Sequence, residues 1–115
     1  MTIKSILAKP FANYIYKQVK KQMETALADQ QSIFNTLIKV GTKTTFGKDH
    51  NFSTIKTYED FVQQVPIRDY EQLKPYIEKI KEGKHNILWK GKPIYFAKTS
   101  GTTSGIKYIP ITKDS

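Results

Sequence analysis

The sequence predicts an α+β chain in which amino-terminal helices lead into a β-hairpin that carries a loop of a composition suited to phosphate. Three observations predict it. Apolar residues recur at three- and four-residue steps from Ile6 to Met23, from Ile33 to Ile38 and from Leu73 to Ile80, the period of one helical face. Pro93-Ile-Tyr-Phe-Ala97 and Tyr108-Ile-Pro-Ile111 are β-rich apolar runs, the composition of two short strands. Between them, Thr99-Ser-Gly-Thr-Thr-Ser-Gly-Ile-Lys107 combines two glycines with a cluster of hydroxyls and one lysine. The boundary between the helical part, residues 1–83, and the hairpin with its loop, residues 84–115, falls at Gly83.

Ile6, Leu7, Phe11, Tyr14, Ile15, Val19 and Met23 form one apolar stripe, and Pro10 is best tolerated in a first turn, so a helix is predicted from about Lys9 to Ala28. Its opposite side carries Lys17, Lys20 and Lys21. A basic amphipathic helix lying on a membrane surface fits that pattern, and the commoner packing stripe fits it too and is preferred. A second helix is predicted from Gln30 to Thr42, with Ile33, Phe34, Leu37 and Ile38 on one face and glycines at 41 and 47 bracketing its end. Residues 44–57, rich in Thr, Asn, Gly and Ser, read as irregular, and His50 within them as a packing or surface histidine rather than a ligand.

Thr57-Tyr-Glu-Asp60 has the spacing of a capping box and predicts a short helix from Tyr58 to Gln64, stopped by Pro66. Asp69 can cap a fourth helix whose stripe is Leu73, Tyr76, Ile77 and Ile80, with Pro75 either kinking it or marking its start. Ile87-Leu-Trp89 and Ile94-Tyr-Phe96 flank a turn composition, Lys90-Gly-Lys-Pro93. Trp89 could stack an adenine ring, although packing beside Ile87 and Leu88 accounts for it without a ligand.

The net charge of +9 raises the question of nucleic acid, but eighteen of the nineteen basic residues are lysine and they are scattered. Arg68 stands alone, so the guanidinium forks that grip phosphates and bases bidentately are missing, and a solvated surface is the preferred reading over nucleic acid or membrane. Cysteine is absent, which excludes disulfides and thiolate metal sites, and two histidines exclude a histidine-rich one. No apolar run approaches the roughly 18 residues of a spanning helix, and the opening Ile3, Ile6, Leu7 cluster is broken by Lys9 and Pro10 before it could serve as a signal peptide. A cytoplasmic location is the expectation.

The chemistry sits in the loop. Thr99, Ser100, Gly101, Thr102, Thr103, Ser104, Gly105 and Lys107 are the candidate phosphate-binding residues. Backbone N–H groups of a glycine-rich turn make an anion-binding concavity, hydroxyls add donors, and the lysine adds charge. Taken alone, the composition fits an unliganded Ser/Thr hairpin turn equally well. It is not a Walker loop, because the lysine comes two places after Gly105 and is followed by Tyr108, and no Gly-x-Gly-x-x-Gly is present.

The loop is similar to the phosphate-binding signature of adenylate-forming ligases. More narrowly, Phe96-Ala-Lys-Thr-Ser-Gly-Thr-Thr-Ser-Gly-Ile-Lys-Tyr-Ile-Pro-Ile-Thr112 resembles the auxin-responsive-promoter family of acyl-acid-amido synthetases, as do Thr45-Phe-Gly-Lys48, Val65-Pro-Ile-Arg-Asp-Tyr-Glu71 and Pro75-Tyr-Ile77. Thr99 and Thr103 depart from the serines common there but keep the hydroxyl. The resemblance implies ATP, with Mg²⁺ brought along, held through its phosphates by the loop. It also implies a two-step ligase reaction: a small-molecule carboxylic acid attacks the α-phosphorus and releases pyrophosphate, then an amine or amino acid displaces AMP.

Family members are several times longer, so the chain reads as an amino-terminal fragment of one adenylate-forming domain, inactive in isolation. Its hairpin would then be either disordered or paired with a second copy, and association is favoured. Two other readings stay open from the residues, a lysine-rich binding module for nucleic acid or anionic membrane surfaces and a purely structural helical domain.

Overall fold

The computed structural model describes residues 2–100 and 105–115. The chain is helix-rich with one two-stranded antiparallel sheet, α1 (Ile3–Gly41), α2 (Thr45–Asp49), a 3₁₀ turn (Phe52–Thr54), α3 (Tyr58–Gln64), α4 (Tyr70–Lys81), β1 (Tyr95–Lys98) and β2 (Tyr108–Ile111). This is the α+β class the sequence predicts. It divides into two units, Met1–Phe34 and Asn35–Ser115.

The first unit is the leading part of α1, and here the structure corrects the sequence. The two predicted long helices are one helix of 39 residues, which begins at Ile3 rather than near Lys9 and contains Pro10. Thr2 starts it: Ser5 N–H donates to the Thr2 carbonyl at 3.0 Å, and Ile6 N–H does so at 3.2 Å. No glycine or proline lies between Phe11 and Val40, and Ala26-Leu-Ala-Asp-Gln is made mostly of good helix formers, so nothing stops the helix where a break was expected. The apolar stripe is there, yet its side chains are exposed, Leu7 at 68%, Phe11 at 67% and Met23 at 73%. Within this unit Gln18 Nε2 donates to the Tyr14 hydroxyl, four residues back, at 2.7 Å.

In the second unit α1 ends against a tight knuckle. Thr44, 1% exposed, donates its hydroxyl to the Gly41 carbonyl at 2.7 Å and accepts the Gly47 N–H at 2.9 Å, capping α2. A β-carbon on Gly47 would lie 1.9 Å from the Gly41 carbonyl oxygen, so the two backbones touch. The segment expected to be irregular thus holds α2 and the 3₁₀ turn. Thr45 and Phe46 N–H groups donate to the Asn86 and Ile87 carbonyls at 2.8 and 3.0 Å, which ties α2 to the loop beyond α4.

Both later helices are capped as box motifs. Thr57 and Asp60 satisfy each other's backbone donors at α3, and Asp69 does the same with Gln72 at α4. Pro75 is accommodated inside α4. Ile77, Ile80 and Ile87 form one buried cluster, with Tyr70, Tyr76, Leu88, Phe96 and Tyr108 packed on it, and Ile38, Phe52 and Ile55 are buried too. Each buried isoleucine contributes roughly 1.5–3 kcal/mol relative to exposure. The hairpin therefore sits on α4 through Phe96 and Tyr108, whose rings meet edge to face at 6.4 Å.

Candidate functional site

β1 and β2 pair in the register Tyr95↔Ile111, Phe96↔Pro110, Ala97↔Ile109 and Lys98↔Tyr108. The pairing runs on into the loop: Thr99 N–H donates to the Lys107 carbonyl at 2.9 Å, and Lys107 N–H donates to Thr99 Oγ1 at 3.2 Å. Thr99 and Lys107, expected in the site, are thereby brought together at its base. Because Thr99 Oγ1 accepts there, its own hydrogen stays available to a ligand. Gly105 adopts φ +79°, a conformation natural to glycine, and a β-carbon there would meet nothing within 4 Å. Ser100 is exposed and Lys107 half-buried. The four remaining candidates, Gly101, Thr102, Thr103 and Ser104, lie outside the described residues.

Two long-range contacts hold the base of the loop, and sequence reasoning missed both. Tyr70, the first residue of α4, accepts the Tyr108 N–H at 2.9 Å on its hydroxyl. Lys81, near the other end of α4, places Nζ 4.5 Å from the centroid of the Tyr108 ring. The only sequence signal for the first was the capping motif at Asp69, which orients the start of α4 without revealing what Tyr70 touches.

His50 and Trp89, the other residues weighed as functional, and the stripe residue Tyr76 all have partners within the fold. His50 is buried, stacked on Phe46 at 4.0 Å, with Nδ1 2.7 Å from the Phe46 carbonyl. Tyr76 donates its hydroxyl to Asp49 at 2.8 Å; burial, and then that carboxylate, raises its pKa above the ordinary value. Trp89 donates its indole N–H to Asp114 Oδ2 at 2.9 Å, and Lys90 approaches the same oxygen at 3.3 Å. The Trp89 hydrogen bond, followed by that of Lys90, holds the Asp114 carboxyl below the usual carboxylate range. Trp89 also walls a mostly apolar cleft of ≈ 290 Å³ with Ile80, Ile87, Leu88 and Pro110. Among the described residues, no helix is long and apolar enough to cross a membrane.

A helix-rich chain with one antiparallel hairpin, whose connection is rich in glycine and hydroxyl residues, is of the α+β class. Residues 15–115 match the GH3 family N-terminal domain. The chain belongs to the GH3 family, which bears out the resemblance seen in the sequence. Over 56 residues it is 43% identical to a probable indole-3-acetic acid-amido synthetase, GH3.13, of Oryza sativa subsp. japonica. The aligned stretch takes in 47% of this chain and 12% of that protein, so the chain spans a small part of that relative's length.

Proposed function

We propose that this chain is the amino-terminal part of an ATP-dependent acyl-acid-amido synthetase of the cytoplasm, and that residues 99–107 are its phosphate-binding loop. The reaction class is carboxylate adenylation followed by conjugation to an amine or amino acid. The observation that carries the reading is the Thr99–Lys107 pairing, which sets a Gly/Ser/Thr connection on a hairpin in a chain of this family.

The donor set suits the group. Attack by an already ionised carboxylate needs no base; it needs alignment and neutralisation of the charge that builds on the departing pyrophosphate. Thr99 and Ser100 offer hydroxyl donors, Gly105 leaves room for a phosphate oxygen to approach, and Lys107 offers its ammonium. Gly101, Thr102, Thr103 and Ser104 would add backbone and hydroxyl donors. Magnesium brought with ATP would neutralise further charge on the β- and γ-phosphates.

The test is Lys107→Ala in a GH3-family synthetase of full length that carries this segment. Lys107 bonds to Thr99 through its backbone, so truncating its side chain spares the hairpin. Acid-dependent pyrophosphate exchange should fall about 10²-fold or more. Exchange at the parental rate would exclude the phosphate role.

A further inference from the structure

Both peptide units that flank Lys107 are tied down. On the amino side, Lys107 N–H donates to Thr99 Oγ1 at 3.2 Å. On the carboxyl side a single peptide unit is held at both ends. Its carbonyl, that of Lys107, accepts the Thr99 N–H at 2.9 Å, and its N–H, that of Tyr108, donates to the Tyr70 hydroxyl at 2.9 Å. A planar trans peptide points its carbonyl and its N–H in opposite directions. Thr99 therefore holds this unit from within the hairpin, and Tyr70 holds it from α4. With the planes on either side of the Lys107 Cα restrained, so is the direction in which its side chain leaves the backbone.

Of the three bonds, only the one to Tyr70 comes from outside the hairpin, and both of its partners are anchored. Tyr70 is the first residue of α4, directly after Asp69, which exchanges backbone and side-chain bonds with Gln72 at 2.9 Å each. The Tyr70 and Tyr108 side chains both pack on the Ile77, Ile80 and Ile87 cluster, and Lys81 Nζ lies 4.5 Å from the centroid of the Tyr108 ring. All of these contacts lie within the second unit.

We propose that Tyr70 is a positioning residue for Lys107: by holding the Lys107–Tyr108 peptide unit from α4, it aims the lysine ammonium at the phosphate end of the nucleotide. The inference rests on the reading of residues 99–107 as the phosphate-binding loop. Tyr70 acts through Lys107 and touches no ligand itself. Without its hydroxyl oxygen the peptide unit keeps the Thr99 bond but loses the one that opposes rotation about it, and the Lys107 side chain then starts from a wider range of directions. The consequence falls on the ligand that carries most charge at that place, the pyrophosphate, and spares the carboxylic acid, which Lys107 does not meet.

Acid-dependent pyrophosphate exchange by a full-length GH3-family synthetase that carries this segment tests the proposal, with Tyr70→Phe, Lys107→Ala and the double variant. Tyr70→Phe should raise the KM for pyrophosphate about fivefold, the factor that one such hydrogen bond is worth, and leave the KM for the carboxylic acid unchanged. Because a KM reads only the molecules that turn over, partial misfolding of the variant does not mask the result. In the Lys107→Ala background Tyr70→Phe should cost nothing further, since the group it aims is gone. Where Lys107→Ala is too slow to follow, the pair of KM values decides alone. Parental kinetics in Tyr70→Phe, a lowered kcat with both KM values unchanged, both KM values raised alike, or an equal loss in the two backgrounds would each overturn the positioning role and leave the phosphate loop standing. Exchange at the parental rate in Lys107→Ala would instead remove the loop reading, and this proposal with it.

Discussion

Tyr70→Phe isolates the contact that fixes the base of the candidate loop. The substitution deletes one oxygen and leaves the ring in place against the Ile77, Ile80 and Ile87 core. What is lost is the acceptor of the Tyr108 N–H, 2.9 Å away. A hydrogen bond of this kind is worth about 0.5–1.5 kcal/mol net, and an amide left buried without a partner costs about 1–3 kcal/mol. Tyr108 is half-buried, so water can recover part of that penalty, and the expected loss is about 1–2 kcal/mol. The effect should be local, because the contact joins α4 to β2 and to nothing else. In native-state hydrogen exchange the Tyr108 amide should lose about tenfold protection per 1.4 kcal/mol, whereas amides of α3 keep theirs. Unchanged protection at Tyr108 would refute the claim that the hydroxyl holds the strand, and an equal loss across α3 would show that the contact supports the whole unit.

Two further perturbations test other parts of the second unit. Gly47→Ala would set a β-carbon 1.9 Å from the Gly41 carbonyl oxygen and 2.7 Å from its carbon, both backbone atoms. The end of α1 and α2 must then separate, and urea titration should report a loss of about 3 kcal/mol or more, a loss under about 1 kcal/mol being incompatible with the contact. Asp60 accepts from the Lys56 and Thr57 N–H groups, and the Lys56 bond, then the Thr57 bond, lowers its pKa below the ordinary 3.8. A depressed carboxyl pKa stabilises the fold above the unfolded-state value, and that contribution is lost as pH falls through the lowered one. Denaturant midpoints should therefore decline on acidification below about pH 4, with a shallower decline in Asp60→Asn, and identical pH profiles for the two chains would contradict the assignment.

What was legible in the sequence was local. Thr57 with Asp60 set the start of α3, Pro66 followed its end, and Asp69 set the start of α4, because a cap is decided by residues three apart. The hairpin was legible for the same reason, two β-rich runs around a loop with glycines, with β1 ending one residue later than expected. The merging of two predicted helices into α1 was misread because Pro10 was taken as a first-turn residue and Ala28-Asp-Gln30 as a break, whereas proline is carried inside the helix and nothing stops it at 29. Short α2 was invisible because its first donors are met by Asn86 and Ile87, about forty residues on, a pairing that no local pattern encodes. Within the candidate site the composition of residues 99–107 was plain. The Tyr70 and Lys81 contacts that steady it were not, since both depend on where α4 lies.

The knuckle at Gly41 and Gly47 bears on how an alignment of this family would be read. Gly47 has no room for any side chain, and Gly41 would press a β-carbon to within 2.8 Å of the Phe52 ring. Selection against every larger residue there should make these glycines as invariant as any in the candidate phosphate loop. A conservation profile would thus raise two glycine peaks of equal height, one enforced by helix-to-helix contact and one, on the proposed phosphate role of residues 99–107, by a ligand. Only the first should persist in descendants that have lost the chemistry but still fold, so a degenerate copy that keeps Gly47 while its 99–107 segment drifts would separate the two kinds of constraint.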